Sequence, residues 1–385
     1  MVNRMIFNGK RLKRARYYNG LSVDDLASKI GVKKQSISQF ETGKSNPSTE
    51  TLWAICRELH FPINYFFQSD DIFGKEIAGT TYFRSMFSTS KKYRQEQVVK
   101  MEHVVAIYAF LSKYIIFPKI NLPQVDEDTS PQDAARLLRH HWNLGNEPIY
   151  DLIQIMEKNG IITTSFTTTS DSIDAFSHKY GDLFIVVLSQ NKDVAARTYF
   201  DAAHELGHIL LHNWFDDIEE LSREEFRKRE KEANLFAASF LCPEDSFRHD
   251  FASLRGNSLD TYAMLKSKWH MSIEALLYHA NQLGVITPAQ YQYSYRILHK
   301  KGWYRNEPYD EKISLRPPSL FRSAIELLLK ENIFSTTSLM QNLENAGCAM
   351  EYGQVEKLLG LPEGMLAPER SYSSNIIEIN RSQNI

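Results

Sequence analysis

The stretch of sequence that decides the fold of the central region is Ala203-His204-Glu205-Leu206-Gly207-His208-Ile209-Leu210-Leu211-His212. Residues four apart lie on one face of an α-helix, so the imidazoles of His204 and His208 can reach the same metal ion. Glu205 lies between them, where its carboxylate can accept a proton from a water molecule on that ion. The spacing predicts a zinc-binding helix with hydrolytic chemistry. The alternative is a partly buried helix that carries two histidines without a metal.

A catalytic zinc takes three protein ligands and keeps a fourth position for water, so a third ligand is needed. His212 is excluded, because it lies eight residues after His204, about 12 Å along the helix axis. A second helix is predicted over residues 230–243 from an apolar repeat at helical spacing that a proline closes. Its apolar and closing positions are Ala233, Phe236, Ala237, Phe240 and Pro243.

Two glutamates near the start of this second helix are the candidates for the third ligand. Glu232 lies one turn before Phe236 and is predicted to face inward. Glu230 is rotated by about 200° from Glu232 and is predicted to face solvent. We therefore expect His204, His208 and Glu232 to hold Zn²⁺. The alternative is that Glu232 is one more surface charge in the acidic and basic run 219–232.

Several motifs in residues 148–243 together resemble the ImmA/IrrE family of metallopeptidases. They are Pro148-Ile149, Asp174-Ala175-Phe176-Ser177, Arg197-x-x-Phe200-Asp201-x-Ala203-His204-Glu205-Leu206-Gly207-His208, Glu232-Ala233-Asn234-x-Phe236-Ala237 and Cys242-Pro243. The resemblance implies a zinc site of two histidines and a glutamate, with a second glutamate as base. It also implies a narrow protein target, typically a transcriptional repressor that is cleaved in response to stress or DNA damage. Cys242 departs from the family, which often has Met or another apolar residue there.

The expected reaction is hydrolysis of a peptide bond. Glu205 is the predicted catalytic residue, which removes a proton from water and returns it to the leaving amine. Asp201 and Arg197 lie about one and two helical turns before His204, and they are predicted to contact the metal ligands rather than the metal. Asp201 either accepts an N–H from a ligand histidine or only pairs with Arg197.

The first part of the chain is basic. Residues 1–69 contain eleven Lys and Arg against five Asp and Glu, a net charge of +6, and the remainder carries −8. Such asymmetry indicates an end that faces nucleic acid. Turn signals at Asn19-Gly20 and at Gly31 divide this part into short helices, predicted over 10–18, 23–30 and 33–41.

The third of these short helices has the pattern of a DNA recognition helix, with Ile37 and Phe40 facing inward and polar side chains outward. Residues 8–67, including Ser36-Ile37-Ser38-x-Phe40-Glu41-x-Gly43-Lys44, are similar to the Cro/phage-repressor (XRE) helix-turn-helix family. The resemblance implies contacts to the bases and phosphates of double-stranded DNA by Lys34, Gln35, Ser38, Gln39, Thr42 and Lys44. Members usually bind as dimers, so a homodimer is expected. The alternative is a helical bundle that binds a protein.

We expect four regions: an HTH domain at 1–69, a helical connector and linker at 70–130, a zinc metallopeptidase domain at 131–250, and a mainly helical region at 251–385. The fold class is α+β and predominantly helical, with a five-helix HTH bundle and a zincin-like domain with a small sheet. Strands are predicted at 161–169 and 183–188. The second is our candidate for an edge strand that aligns the substrate, although an internal strand fits its sequence equally well. The sequence does not decide whether the last region serves regulation or assembly.

The composition is typical of a soluble protein with well-formed hydrophobic cores, since the chain has 385 residues, of which 43% are hydrophobic. Three distant cysteines predict neither a disulfide framework nor a cysteine metal site, and fit a reducing compartment. The chain shows no signal-peptide core and no apolar run of membrane-spanning length. We therefore expect a cytoplasmic protein without a membrane partner.

Two functions of different classes fit these observations. In the first, the chain is a DNA-binding regulator with a zinc endopeptidase domain that cleaves a specific protein, which is another repressor or the chain itself. In the second, it is an HTH regulator whose zinc site senses or stabilises and does not cleave. Glu205 favours the first, because a structural zinc site has no use for it and prefers four protein ligands.

Overall fold

The fold is α+β and predominantly helical, as the sequence predicts. A computed structural model describes residues 6–73, 81–83, 91–166, 175–189, 194–212, 214, 221–254, 256–304 and 306–368, with only the backbone described at 81–83 and at 91. The helices are α1 (Gly9–Tyr18), α2 (Val23–Ile30), α3 (Lys34–Glu41), α4 (Thr49–Leu59), α5 (Lys91–Leu111), α6 (Pro131–His141), α7 (Leu152–Lys158), α8 (Ala195–Leu211), α9 (Arg223–Leu241), α10 (Glu244–Ser253), α11 (Leu259–Trp269), α12 (Ile273–Gln282), α13 (Pro288–Lys300), α14 (Leu320–Lys330), α15 (Thr336–Asn345) and α16 (Tyr352–Leu359).

Many of these helices begin after a serine or threonine whose side chain accepts a hydrogen bond from the first turn. This bond pairs one of the backbone N–H groups that a helix N-terminus otherwise leaves unsatisfied. Such caps precede α2, α6, α9 and α13 at Ser22, Ser130, Ser222 and Thr287. The helix starts are therefore encoded locally.

The N-terminal bundle consists of α1 to α4 and a 3-10 helix at Ile63–Phe67, which together make five helices, the number predicted. Its centre is apolar, with Leu12, Leu26, Ile37 and Ile55 fully buried. An ion pair joins α1 to α3, because Arg16 Nε lies 2.6 Å from Glu41 Oε1 and both side chains are buried. These contacts fix the orientation of α3 in the bundle.

The sheet contains β1 (Thr81–Phe83), β2 (Ile162–Phe166), β3 (Ala175–Tyr180) and β4 (Leu183–Ser189). Their order is β1-β3-β4-β2, with β4 antiparallel to β3 and parallel to β2. Both predicted strands are present, although residues 167–169 lie outside the described residues. The proposed edge position of residues 183–188 is wrong, because β4 pairs on both sides, and four successive residues of β4 are buried.

Helices α8 and α9 pack closely because α8 contains a glycine at the crossing point. A Cβ built on Gly207 would lie 3.2 Å from the Ala233 Cα and 3.0 Å from the Phe236 Cδ1. The end of α9 is held by the buried Arg139 of α6, whose Nη1 donates to the Phe240 carbonyl at 2.5 Å. Together these contacts fix the position of α9 along α8.

The C-terminal region contacts both the N-terminal bundle and the sheet. Arg11 Nη1 donates to the Gly347 carbonyl at 3.0 Å, and Gln68 Nε2 donates to the Glu344 carbonyl at 2.6 Å. On the sheet side, Thr164 Oγ1 of β2 donates to the carbonyl of Leu358 in α16 at 2.9 Å. The region whose role the sequence leaves open therefore connects the two parts that carry the chemical motifs.

The part of the predicted connector and linker that lies between α5 and α6, residues 112–130, is non-helical. It is hydrogen-bonded to residues that follow α6 and α7. The Asn121 N–H donates to the Asn159 carbonyl at 3.0 Å, and Trp142 Nε1 donates to the Asn121 carbonyl at 2.8 Å. The three cysteines are buried and unpaired. In the part of the chain that the structure describes, no helix has both the length and the apolar character needed to span a membrane.

Candidate metal centre

Two histidines of α8 face each other across a small gap. The Nε2 atoms of His204 and His208 are 3.0 Å apart, and the residues are 0% and 1% exposed. They lie one turn apart on the helix, as the spacing in the sequence predicts. Each presents the same ring nitrogen to a common point, which is the arrangement that a shared metal ion requires.

A third donor comes from α9, where Glu230 reaches both histidines. Its Oε2 lies 3.4 Å from His204 Nε2, and its Oε1 lies 3.1 Å from His208 Nε2. Ligands at zinc–nitrogen distances of about 2.0–2.1 Å in a tetrahedral site are about 3.3 Å apart, so the three donors have the right separation. Among the described residues, the cluster able to hold a metal is His204, His208 and Glu230. Three protein donors, rather than four, are typical of a site that keeps one position open.

The structure corrects the predicted position of the third donor: Glu230, and not Glu232, lies with the two histidines. Glu232 Oε2 lies 3.3 Å from His212 Nε2 instead. The reason is helical phase: at about 100° per residue, Glu230 lies about 20° from the buried Ala237, whereas Glu232 lies about 140° from it. A repeat at i, i+3, i+4 and i+7 from Glu230 would have identified this face.

The charge state of Glu230 suits a metal ligand. Burial acts to raise the pKa of its carboxyl group, but hydrogen bonds with His204 and His208 outweigh burial and lower the pKa to about 2. Glu230 is therefore an anion at neutral pH, as metal binding requires.

Glu205 is buried beside the histidines and is fixed by the sheet. Ser177 of β3 donates from its Oγ to Glu205 Oε2 at 2.5 Å, and Glu205 is 1% exposed. The sequence offered Ser177 only as part of a family motif and gave it no role. Its contact with Glu205 spans two elements, which a single helical pattern cannot reveal. In the sheet, Ser177 lies opposite Tyr82 of β1.

The outward ring nitrogens of the two histidines also have partners. His204 Nδ1 lies 3.0 Å from Asn234 Oδ1, and His208 Nδ1 lies 2.9 Å from His212 Nδ1. Such outer contacts fix the ring orientation and the tautomer of a metal-binding histidine. Neither Asn234 nor His212 was assigned this role from the sequence: Asn234 was named only within a family motif, and His212 was considered only as a direct ligand.

Arg197 and Asp201 line a neighbouring cleft of about 620 Å³, with Glu230 and Asn234 on its wall. Arg197 Nη2 donates to the Tyr304 carbonyl at 2.5 Å, which connects α8 to the segment after α13. The predicted hydrogen bond from a ligand histidine to Asp201 stays a prediction.

The second candidate functional site is the outward face of α3 together with the turn that follows this helix. All six predicted DNA-contacting residues are exposed, namely Lys34, Gln35, Ser38, Gln39, Thr42 and Lys44. Ile37 and Phe40 point into the bundle and are 0% and 9% exposed. The division into an apolar inner face and a polar outer face is confirmed, while contact with DNA stays a prediction.

Two protein families match separate parts of the chain. A helix-turn-helix family matches residues 12–66, and the IrrE N-terminal-like domain of the M78 peptidases matches residues 157–281. The first match contains α3, and the second contains the three clustered donors and Glu205. The two candidate sites thus lie in parts of the chain that match two different domain families.

Two curated relatives are similar to the N-terminal part. One is the "Uncharacterized HTH-type transcriptional regulator" of Archaeoglobus fulgidus, 31% identical over 67 residues, which are 17% of this chain and 96% of that protein. The other is the "Uncharacterized transcriptional regulator in ATPase CF(0) region" of Rhodospirillum rubrum, 37% identical over 59 residues, or 15% of this chain. The chain spans 55% of the length of the Rhodospirillum rubrum protein.

Proposed function

We propose that this chain, which belongs to the HTH-type transcriptional regulators, is a zinc endopeptidase that acts while bound to DNA. The premise for the peptidase is that the chain also carries an IrrE N-terminal-like domain. The observation that carries the proposal is the cluster of His204, His208 and Glu230 beside the buried Glu205. The donor set suits Zn²⁺, because nitrogen and carboxylate ligands at tetrahedral separations are those this ion prefers.

The residues of the chain divide the chemistry between them. Zinc, when bound, supplies Lewis acidity that makes water nucleophilic near neutral pH and polarises a peptide carbonyl. Glu205 accepts the proton of the attacking water and returns it to the leaving amine. Ser177 holds one carboxylate oxygen of Glu205, which limits rotation of the side chain and keeps the base aimed at the metal centre.

The substrate is proposed to bind as an extended peptide along β3. Peptides commonly add to a sheet edge through main-chain hydrogen bonds, and β3 carries Ser177, which contacts the catalytic base. That edge of β3 is paired antiparallel with β1, and Tyr82 lies opposite Ser177. A substrate that uses this edge therefore has to displace β1.

The DNA-binding part sets where the peptidase acts. We propose that the exposed face of α3 enters the major groove of double-stranded DNA, where Gln35 and Gln39, both exposed, would read base edges. A homodimer on two half-sites is proposed, since single HTH domains usually pair on DNA. We propose a protein substrate, specifically a transcriptional repressor, cleaved in the cytoplasm during a stress or DNA-damage response. The resemblance to the ImmA/IrrE family and the attached HTH domain support this choice.

A second function is favoured by one observation, the pairing of β1 with β3. If β1 never leaves that edge, the chain is an HTH regulator whose zinc site senses or stabilises and does not cleave. The two functions differ in what they require of Glu205, because zinc binding alone does not need a base.

The test of the proposal is a cleavage assay with zinc-loaded wild type and Glu205→Gln protein. Each protein is assayed with and without the DNA sequence that it prefers, which is first identified by selection from random sequences. Each is incubated with cell extract, and new protein termini are mapped by mass spectrometry. We expect defined fragments only from wild type. Identical fragments from both proteins, or none from either with DNA present, would contradict the peptidase and leave the sensory function.

A further inference from the structure

We propose that His212 and Glu232 form a hydrogen-bonded chain behind His208 that fixes the orientation and tautomer of this metal ligand. The inference rests on the proposed metal centre and adds two positioning residues to it. Neither residue is one of the three clustered donors.

The contacts run in one line from the metal centre to the surface. The Nε2 atom of His208 faces His204 Nε2 at 3.0 Å, and Nδ1, across the same ring, faces His212 Nδ1 at 2.9 Å. His212 Nε2 in turn lies 3.3 Å from Glu232 Oε2. The side chains of His208 and His212 are 1% and 4% exposed, whereas Glu232 is 31% exposed. The chain therefore begins at a buried ligand and ends at a carboxylate that water can reach.

The backbone explains how His212 reaches this position. Helix α8 ends at Leu211, and His212 has an extended conformation with φ −110° and ψ 144°. Its N–H still bonds to the His208 carbonyl at 3.3 Å, so the residue stays one turn from His208. The two rings lie with their centroids 4.9 Å apart and an interplanar angle of 49°. The side chain thus folds back against His208 where the chain leaves the helix.

The direction of each hydrogen bond follows from the proton count of imidazole. A ring nitrogen that binds metal carries no proton, so a neutral His208 that binds through Nε2 carries its proton on Nδ1. That N–H donates to His212 Nδ1, which leaves the proton of His212 on Nε2. His212 Nε2 then donates to the Glu232 carboxylate. Every contact has one donor and one acceptor, and the reverse order would place a proton on the metal-binding nitrogen of His208.

The other ligand histidine is supported differently. His204 Nδ1 meets the Oδ1 atom of Asn234 at 3.0 Å, so a single amide provides the acceptor there. His208 has instead a second imidazole, with a carboxylate behind it. A carboxylate behind a histidine raises the basicity of the nitrogen that binds metal, and removing such outer partners typically costs about 10–100-fold in metal affinity.

The first test measures zinc affinity by competition with a chromophoric chelator. We expect His212→Ala to weaken zinc binding by about 10–100-fold, and Glu232→Ala to weaken it by less. His212→Asn should restore most of the affinity, because its Oδ1 can take the place of the imidazole acceptor. The double variant His212→Ala/Glu232→Ala should be no worse than His212→Ala, because the two residues act in series. His279→Ala is the matched control: this buried histidine bonds to the Cys242 carbonyl, away from the cluster, and its loss should leave zinc affinity unchanged.

The second test reads the tautomer directly by ¹⁵N NMR of histidine-labelled, zinc-loaded protein. We expect the proton of His212 on Nε2 in the wild type and a mixture of tautomers in Glu232→Ala. Wild-type zinc affinity in His212→Ala, or a proton on Nδ1 of His212 in the wild type, would overturn the inference. If His212→Ala does not fold, His212→Asn, Glu232→Ala and the spectrum of the wild type still decide it. Failure of the proposed function shows up separately, as zinc-loaded wild type that cleaves nothing.

Discussion

Gly207 of α8 lies directly against the backbone of Ala233 of α9, so that a Cβ on Gly207 would sit 3.2 Å from the Ala233 Cα and 3.3 Å from its carbonyl oxygen. The backbone of α9 cannot rotate away as a flexible side chain could. Because Glu230 and Asn234 are within one turn of Ala233, the same contact sets how far they reach toward the histidines. Gly207 therefore limits the separation of α8 and α9 beside the candidate metal centre, although it is not one of the three donors.

Gly207→Ala is expected to lower the free energy of unfolding by about 1–3 kcal/mol, as overpacking of a tight core does. It should also weaken zinc binding, because α9 moves away and takes Glu230 with it. Chemical denaturation and chelator competition measure the two effects. The matched control is Gly353→Ala in α16, where nothing lies within 4 Å of the added Cβ. There the substitution should be neutral or stabilising by up to about 1 kcal/mol. Equal behaviour of the two variants would refute the packing argument.

Ser177→Ala removes the hydroxyl that holds Glu205. A hydrogen bond to a charged group is worth about 1.5–3 kcal/mol, so kcat should fall by about 10-fold or more while zinc content stays at the wild-type level. The kinetics are followed with a peptide that spans the mapped cleavage site. Ser165→Ala, which changes a buried serine of β2 in the same sheet, should leave kcat unchanged. An unaltered kcat in Ser177→Ala would mean that Glu205 is positioned without this bond.

Weakening β1 should increase cleavage if the substrate uses the edge of β3. Neighbouring residues of an antiparallel strand alternate in hydrogen bonding, so either Tyr82→Pro or the double variant Thr81→Pro/Phe83→Pro removes N–H groups that bond to β3. Each lost bond costs β1 about 0.5–1.5 kcal/mol, which predicts about a 2–10-fold faster cleavage of added peptide. The same substitutions together with Glu205→Gln should give no cleavage. If neither variant is faster than wild type, the substrate does not compete with β1.

The exposed face of α3 predicts separable effects on DNA binding. After selection of the preferred DNA site, Gln39→Ala should cost about 1–3 kcal/mol and relax specificity at one base pair, as loss of a base contact does. Lys44→Ala should weaken binding to all sequences. It should also reduce the slope of log affinity against log salt concentration by the amount expected for about one phosphate contact. Fluorescence anisotropy at several salt concentrations measures both. Lys113→Ala, an exposed lysine after α5, is the control and should change neither quantity. Wild-type affinity, specificity and salt dependence in both Gln39→Ala and Lys44→Ala would contradict the assigned recognition face.

The local elements were predictable because their signals are local. The spacing of His204 and His208 places two imidazoles on one helical face, and capping residues such as Ser22 and Ser130 define helix starts. The division of α3 into inner and outer faces also follows from short-range periodicity. These features depend on residues at most a few turns apart.

The composition of the metal centre was less predictable, because it depends on how elements pack. The third donor was assigned to Glu232 through the phase of Phe236, whereas the face that meets α8 runs through Glu230 and Ala237. Ser177 reaches Glu205 only because β3 packs against α8. The position of β4 inside the sheet depends on pairing with β2 and β3, which a pattern within residues 183–188 does not contain.

The central claim is that His204, His208 and Glu230 hold one zinc ion, with Glu205 as a base that is not a ligand. The most direct measurement is zinc content and affinity for wild type, Glu230→Gln, Glu232→Gln and Glu205→Gln, with folding checked by circular dichroism. We predict one zinc per chain in wild type and in Glu205→Gln. Residues that only support a ligand typically change metal affinity by about 10–100-fold. Glu230→Gln should lose more zinc affinity than this, whereas the loss in Glu232→Gln should stay within this range. Full zinc affinity in Glu230→Gln, with the larger loss in Glu232→Gln, would contradict the account.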